Sequence, residues 1–509
     1  MIPGDPSIRN FSELVRARMR QPDKVFVRNA DGRTMTFAET WHLAGRIAGV
    51  LAANGVQPGD RVAVQVEKSP ETIALFLGCL RAGAAYLPLN TAYTLAELEY
   101  FFADAGPRCV VAAPERLSAV AEVARRKDVA TTLSLGERGD GSLMDAAEGY
   151  PPDFRGPTMA WDSLASILYT SGTTGRSKGA MLTHANLASN ALALVDYWRL
   201  SASDVLIHAL PVFHIHGLFV AINTLLLAGG TILFLPKFQP DEVLRLMPQA
   251  TVMMGVPTFY TRLLAHPGLT REATASMRLF VSGSAPLLAE SHRAFFERTG
   301  HAILERYGMT ETNMNTSNPY DGDRLPGSVG LPLPGVDVRI TDPEAGSTLP
   351  VGATGMIEVR GPNVFKGYWR LPEKTASEFR KDGFFITGDL GRIDARGYVW
   401  IVGRNKDMII TGGLNVYPKE VEDEIDAIAG VTESAVIGLP HPDFGEGVTA
   451  VVVAADKTLT EQAVLARLKD RLAKFKQPKR VVFVADLPRN TMGKVQKNAL
   501  RDTYAGLYA

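Results

Sequence analysis

At 509 residues the chain has room for three to four domains or subdomains of about 150 residues each. Its 46% hydrophobic and 21% charged residues are ordinary for a globular protein, and 54 Lys and Arg against 54 Asp and Glu leave no net charge. That balance argues against a polyanion-binding protein, and two cysteines, Cys79 and Cys109, rule out a disulfide framework or a four-ligand zinc site and read as buried free thiols.

The first residues, MIPGDPSIRNFSELV, carry no basic start followed by an apolar core, so no secretory signal is expected. Thr36-Phe37-Ala38-Glu39 has the spacing of a capping box. The residues behind it, Leu43, Ile47, Val50 and Leu51, fall on one helical face, and Gly55 is a plausible stop. Pro58-Gly59-Asp60 predicts a turn and Arg61 to Val66 a strand. Ser69-Pro70-Glu71 reads as N-cap, first-turn proline and dipole-compatible acid, opening a helix through Leu80. Thr94 and Glu97 repeat the capping box. This alternation implies a mainly parallel sheet with helices on its faces.

Residues 130–163 look irregular and suggest a subdomain seam. A second α/β region follows, to about residue 325. Within it no Asp, Glu, Lys or Arg occurs from Val205 to Pro236. Pro211, three histidines, Asn223 and Gly229-Gly230 break that run, which predicts a buried strand–loop–helix–strand unit rather than a membrane span. From 326 to 404 short strands between Gly and Pro turns predict a small β-barrel-like subdomain. Beyond Arg404 come an amphipathic helix over Pro418–Ile428, strands over Glu433–Leu439 and Val448–Ala455, a helix capped by Thr458-x-x-Glu461 and carrying Val464, Leu468, Leu472 and Phe475, and a strand over Val481–Val484. The expected architecture is a large α/β domain, residues 1–404, divided at about 163 and 325, and a smaller α+β domain, 405–509.

The sharpest local signal is Tyr169-Thr170-Ser171-Gly172-Thr173-Thr174-Gly175-Arg176-Ser177-Lys178-Gly179, behind the apolar Ser166-Ile167-Leu168. Glycines that free backbone N–H groups, several hydroxyls and a cation are what a polyphosphate needs. The spacing differs from G-x-x-x-x-G-K-[ST], so this is a phosphate loop of another kind.

Four further motifs follow in order: Tyr307-Gly308-Met309-Thr310-Glu311, Thr387-Gly388-Asp389, Gly403-Arg404-Asn405-Lys406-Asp407 and Pro488-Arg489-Asn490-Thr491-Met492-Gly493-Lys494. With the loop they resemble the adenylate-forming superfamily of acyl-CoA synthetases, adenylation domains and luciferases over nearly the whole chain. The resemblance implies ATP, Mg²⁺ and coenzyme A, and a small domain that turns about a hinge at Lys406. It assigns Thr170, Ser171, Gly172, Thr173, Thr174, Gly175 and Lys178 to the phosphates, and Ser282, Gly283, Ser284 and Ala285 to the adenine site. Tyr307 would lie against adenine, with Gly308, Met309 and Thr310 at the nucleotide. Glu311 would hold the metal, Asp389 the ribose, and Arg404 the ribose or phosphate region. Lys494 would be the catalytic lysine of adenylation. Gly412 and Gly413 would line the pantetheine tunnel in the second half-reaction.

The segment His208-Ala209-Leu210-Pro211-Val212-Phe213-His214-Ile215-His216-Gly217 lies where members line the acyl site, and His214 is placed among the catalytic groups. With Leu235-Pro236-Lys237-Phe238 it is similar to malonyl-CoA synthetases. A dicarboxylate needs a cation or several donors for its second carboxylate. Lys237, His208, His216 and Arg278 are the candidates. An aromatic or medium-chain fatty acid is the alternative substrate, and a stand-alone adenylation protein that loads a carrier domain the alternative class. The basic run Arg471, Lys474, Lys476, Lys479 and Arg480 is either a solvated face or part of a CoA 3′-phosphate site. A cytoplasmic enzyme without nucleic-acid partners is expected, with acetyltransferase and deacetylase control at Lys494, because acetylation would remove that charge.

Overall fold

The computed structural model describes residues 5, 7–170, 177–412, 414–491 and 493–508. The large domain is built on two sheets. One has seven strands in the spatial order 367–368, 178–183, 164–170, 85–88, 61–65, 109–112 and 131–134. The other has nine, in the order 331–332, 313–317, 304–309, 279–282, 252–255, 205–208, 231–234, 25–29 and 34–36. Helices Phe37–Ala53, Pro70–Arg81 and His184–Tyr197 contribute to one apolar core shared with both sheets.

The sheets do not respect the seam expected at residue 163. Strands Leu164–Thr170 and Lys178–Thr183 complete the seven-stranded sheet, while Val25–Asn29 pairs in parallel with Thr231–Phe234 of the other. The seam region itself holds a strand, Thr131–Ser134, and a helix, Ser142–Glu148. Composition marked the irregular loops there and was blind to which strands pair across them.

The third sheet, with strands 337–341, 355–360, 385–393 and 399–404, is antiparallel and runs as an open path among the described residues, not as a barrel. The small domain packs helices Pro418–Asp426 and Glu461–Leu468 on a mixed sheet, with Val421, Ile425, Val436, Val448 and Val464 in its own core.

The capping boxes at Thr36–Glu39 and Thr94–Glu97 form with both reciprocal hydrogen bonds, and Ser69 precedes helix Pro70–Arg81. Thr458 is not a cap. Its hydroxyl donates to Asp456 at 2.6 Å, and Thr460 accepts from the Ala463 N–H instead. That helix ends at Leu468, so Leu472 and Phe475 pack from beyond it. The uncharged run folds as strand Val205–His208, a π-helical turn His216–Ile222, helix Asn223–Ala228 and strand Thr231–Phe234. Among the described residues no helix is long and apolar enough to cross a membrane. Cys79 and Cys109 are buried free thiols.

Four neighbouring strands, Val205–His208, Val252–Gly255, Leu279–Ser282 and Leu304–Met309, run parallel. Their carboxyl ends therefore converge on one edge, where open α/β sheets bind ligands. His208, Ser282, Arg306 and Tyr307 all stand there.

Candidate active site

The nucleotide side is organised by Asp389. It lies opposite Arg404 across two antiparallel strands. Gly388 has φ +73°, a conformation open to glycine, and turns the backbone so that the Asp389 N–H reaches the Thr387 hydroxyl at 3.0 Å. One Asp389 oxygen meets Arg404 Nε at 2.6 Å, and the other accepts from the Tyr307 hydroxyl at 2.5 Å. The Asp389 carboxylate holds the Arg404 guanidinium above its usual range, and burial pushes the Tyr307 phenol up. The structure thus joins three residues that are far apart in sequence.

Lys494 enters this cleft from the small domain. Its hairpin is held by reciprocal bonds, Lys494 N–H to Asn490 Oδ1 at 3.0 Å and Asn490 N–H to the Lys494 carbonyl at 2.9 Å. Arg489 ties the hairpin down, donating to the Gly493 carbonyl at 2.7 Å and pairing with Glu433. Contacts with the large domain are direct, including Asn90 Nδ2 to Thr491 Oγ1 at 3.4 Å. Desolvation first, and Arg404 second, pull the Lys494 ammonium down to about 8, while Asp389 opposes them. Solvent still reaches the side chain, so water in the cleft moderates the shift without reversing its direction. Lys406, the expected hinge, is exposed beside Asp407 and Arg404, and partial burial lowers its ammonium too.

This carries a sign. The ammonium is the form that attracts anions, and it is lost as pH rises through its pKa. Acyl-adenylate formation is expected to decline above about pH 8 when kcat/KM is followed against pH; a limb near the 10.5 of a free lysine would place Lys494 in bulk water.

Glu311 is buried, and desolvation raises its carboxyl above the ordinary range. The Tyr368 hydroxyl lies 3.0 Å from Glu311 and 2.7 Å from Glu378. Lys178 stands 3.6 Å from Glu378 and 4.3 Å from the Tyr368 ring centroid. The expected metal carboxylate and phosphate lysine are thus linked through Tyr368 and Glu378, neither of which was foreseen. No cluster of three or more His, Cys, Asp or Glu suited to a metal occurs among the described residues. One carboxylate nevertheless suits Mg²⁺, which usually takes few protein ligands and completes its shell with phosphate and water. Thr170 ends its strand, with Oγ1 at 3.5 Å from the Lys178 carbonyl. Ser171, Gly172, Thr173, Thr174 and Gly175 lie outside the described residues.

On the acid side the central group is Arg306, which was not anticipated. Only 4% of it is exposed, and its Nε and Nη2 have no hydrogen-bond partner among the described residues. The guanidinium lies across Gly283, where a Cβ would stand 2.3 Å from its central carbon, so a larger residue there would push the guanidinium from this position. Burial pulls it down to about 9, still charged at neutral pH. Around it are further open groups. His216 Nδ1 is 3.2 Å from Ser284 Oγ, while its Nε2 and the Ser282 hydroxyl have no partner among the described residues. His214 Nδ1 accepts from the His216 N–H at 3.2 Å. Burial, then Arg306, lowers His214 to about 4 and lowers His216 strongly, so both are neutral rings. Ser284 adopts φ +72°, unusual outside glycine, and Ala285 follows it half-buried. Met309 ends its strand and Gly308 sits at a bulge in it, with Thr310 in the next turn.

Of the expected pocket cations, Arg278 stands elsewhere. Arg278 precedes strand Leu279–Ser282 and forks onto Asp204 at 2.7 Å, with further bonds to the Trp198 and Arg199 carbonyls. Both members of that pair sit at the amino ends of their strands, opposite the acid edge. Lys237 is exposed in the loop after Thr231–Phe234. The buried lysine at this strand end is Lys68, 2.7 Å from His208 Nδ1.

Gly412 has φ +58° and donates to the Phe444 carbonyl at 2.8 Å. Around it Ile410, Leu414 and Phe444 are exposed, and Lys479 lies 5.0 Å from the Phe444 ring centroid. Gly413 is outside the described residues. Of the basic run, Arg471, Lys476 and Arg480 pair with Glu424, Glu420 and Glu461.

The family model "AMP-binding enzyme" matches residues 14–369, and "AMP-binding enzyme C-terminal domain" matches 420–494. The chain is 39% identical to a feruloyl-CoA synthase of an Amycolatopsis species, covering 96% of this chain and 97% of that one. It is 37% identical to the mitochondrial malonate–CoA ligase ACSF3 of Homo sapiens, with 82% and 78% covered. Among solved structures, ATP-bound MatB from Rhodopseudomonas palustris is 63% identical with a TM-score of 0.96, covering 98% of this chain and all of that one. The apo form of the same protein scores 0.86 at 98% and 99% coverage. With both family models matched in order and this architecture shared along the chain, the protein belongs to the AMP-binding enzyme family and has the adenylate-forming fold.

Proposed function

We propose that the protein is an ATP-dependent acid–CoA ligase whose acid is malonate. In the first step a malonate carboxylate attacks the α-phosphorus of ATP, giving acyl-AMP and pyrophosphate. In the second the CoA thiol displaces AMP. The observation that carries the acid assignment is Arg306, a buried guanidinium with two unpartnered nitrogens among the described residues, at the sheet edge that also carries the histidines. An unpaired buried charge is costly, and a second carboxylate on the substrate is what offsets it. The malonate–CoA ligase among the relatives supports this reading. The feruloyl-CoA relative supports an aromatic acid, but such a monocarboxylate leaves Arg306 without an anion.

In this reading Asp389 takes the ribose hydroxyls, and Tyr307 flanks the adenine. Glu311 would hold Mg²⁺, which would supply charge neutralisation at the phosphates. Lys494 bridges the reacting carboxylate and the α-phosphate, which otherwise repel; at about 4 Å and an effective dielectric near 20, each attraction is on the order of 4 kcal/mol before desolvation. After adenylation the small domain turns about Lys406 and brings Gly412 to the cleft. Acetylation of Lys494 removes its charge and makes it the point of enzymatic control.

An acid panel tests the assignment. Malonate is expected to exceed butyrate, octanoate, benzoate and ferulate in kcat/KM for pyrophosphate release, with thioester formed only when free CoA is present. A monocarboxylate ahead of malonate would overturn the acid, and discharge to a carrier domain but not to CoA would overturn the class.

A further inference from the structure

Lys68 lies outside every recognised motif, between strand Arg61–Gln65 and helix Pro70–Arg81. It is only 9% exposed. Its Nζ stands 2.7 Å from His208 Nδ1, 2.8 Å from the His208 carbonyl and 2.6 Å from the Leu235 carbonyl, with the Phe234 ring centroid at 4.2 Å. On the other side of the imidazole, His208 Nε2 is 2.9 Å from the Gly217 carbonyl.

The four hydrogen bonds fix a proton count. Three of them end on carbonyl oxygens, which only accept, and the fourth joins the two side chains. Each needs one N–H hydrogen, so four are required. An ammonium and a neutral imidazole supply four, and so do a neutral amine and an imidazolium. Either way the pair carries one positive charge. Losing it would leave a buried lone pair facing an oxygen or another lone pair, which costs more than an exposed mismatch. Burial alone drives both groups toward neutrality, and the hydrogen-bond geometry opposes it.

The charge stands behind the acid pocket. Gly217 follows His216, and a Cβ on Gly217 would lie 2.1 Å from the Pro211 carbonyl, so this turn has one tight packing. His208 also acts electrostatically on His216. We propose that Lys68 is a positioning residue for acid recognition: with His208 it maintains a buried unit charge and anchors the turn carrying His216, favouring acids with a second carboxylate. This rests on the malonate reading for its substrate, though not for the geometry of the pair.

The experiment uses Lys68→Met in the full-length enzyme, a change close in length that removes the charge. KM for malonate is expected to rise about tenfold, the low end of what hydrogen-bonded partners behind metal ligands contribute, with KM for ATP and for butyrate within about twofold of wild type. An equal loss for every substrate, or unchanged malonate preference in the folded variant, overturns the proposal. The second measurement needs only the native enzyme. In ¹⁵N-histidine spectra, with His208 assigned by comparison with His208→Gln, Nε2 should stay protonated between pH 5.5 and 8.5. A His208 that titrates there like free histidine overturns the pair, whichever acid the enzyme prefers.

Discussion

Lys494→Ala is expected to lower acyl-adenylate formation on the order of a thousandfold, the scale on which preorganised charge at a developing anion acts, while leaving thioester formation from preformed malonyl-AMP within a fewfold of wild type. The reason is geometric. In the present arrangement Lys494 stands with Asp389, Arg404 and Lys406, its hairpin pinned by Arg489. A group that approaches from the small domain serves the step performed in that arrangement. In the proposed mechanism the domain then turns, taking Lys494 away and bringing Gly412 in, so the second step should proceed without it. Pyrophosphate release reports the first half, and AMP release from synthetic malonyl-AMP with CoA the second. Equal loss in both would contradict two arrangements sharing one site. Enzyme acetylated at Lys494 should behave as the alanine variant does, and full activity in such a preparation would remove the residue as a control point.

Arg306→Met is expected to separate substrate preference from stability. Truncating one partner of a buried charge pair costs about 2–5 kcal/mol. Taking the middle of that range, kcat/KM for malonate should fall roughly a hundredfold or more, and that for butyrate should hold or rise. Ligand-free enzyme should melt higher than wild type, because the variant replaces an unpaired buried cation with an apolar chain of similar length. Malonate should stabilise the wild type and leave the variant unmoved. A uniform loss across acids, accompanied by a lower melting point, would make Arg306 a structural residue and withdraw the dicarboxylate assignment.

What could be read in advance divides by the range of the interaction. The helix starts at Thr36 and Thr94 were legible because a capping box is closed within four residues. Thr458 failed the same test, since a competing carboxylate two residues earlier took its hydroxyl and left Thr460 to cap. Tyr307, Asp389, Arg404 and Lys494 were named from motifs, and the structure gathers them, yet no spacing said that Tyr307 and Arg404 would share Asp389. Arg278 was named as a cation for the second carboxylate, yet it stands four residues before Ser282, at the other end of the strand. Four strand residues span about 13 Å, which carries the two to opposite edges of the sheet. Arg306 was visible as a charge beside a motif tyrosine, in a strand that continues with Leu304 and Glu305 buried. Reading it as buried required knowing that helices cover both faces. Lys68 had no local signal at all, because its three hydrogen-bond partners come from residues 140 and 167 positions away.

The pairing of Val25–Asn29 with Thr231–Phe234 also dictates an order of events on the ribosome. The Thr231 hydroxyl donates to the Val25 carbonyl across 206 positions. At about 5–20 residues per second, roughly ten to forty seconds pass between the emergence of the two. Strands 61–65, 85–88, 109–112 and 131–134 emerge in that interval and can pair with one another at once. The antiparallel strand pair 25–29 and 34–36, the first to emerge, is therefore among the last to be docked. Until then it presents an open edge to the nascent chain's surroundings, the kind of surface that holding chaperones cover.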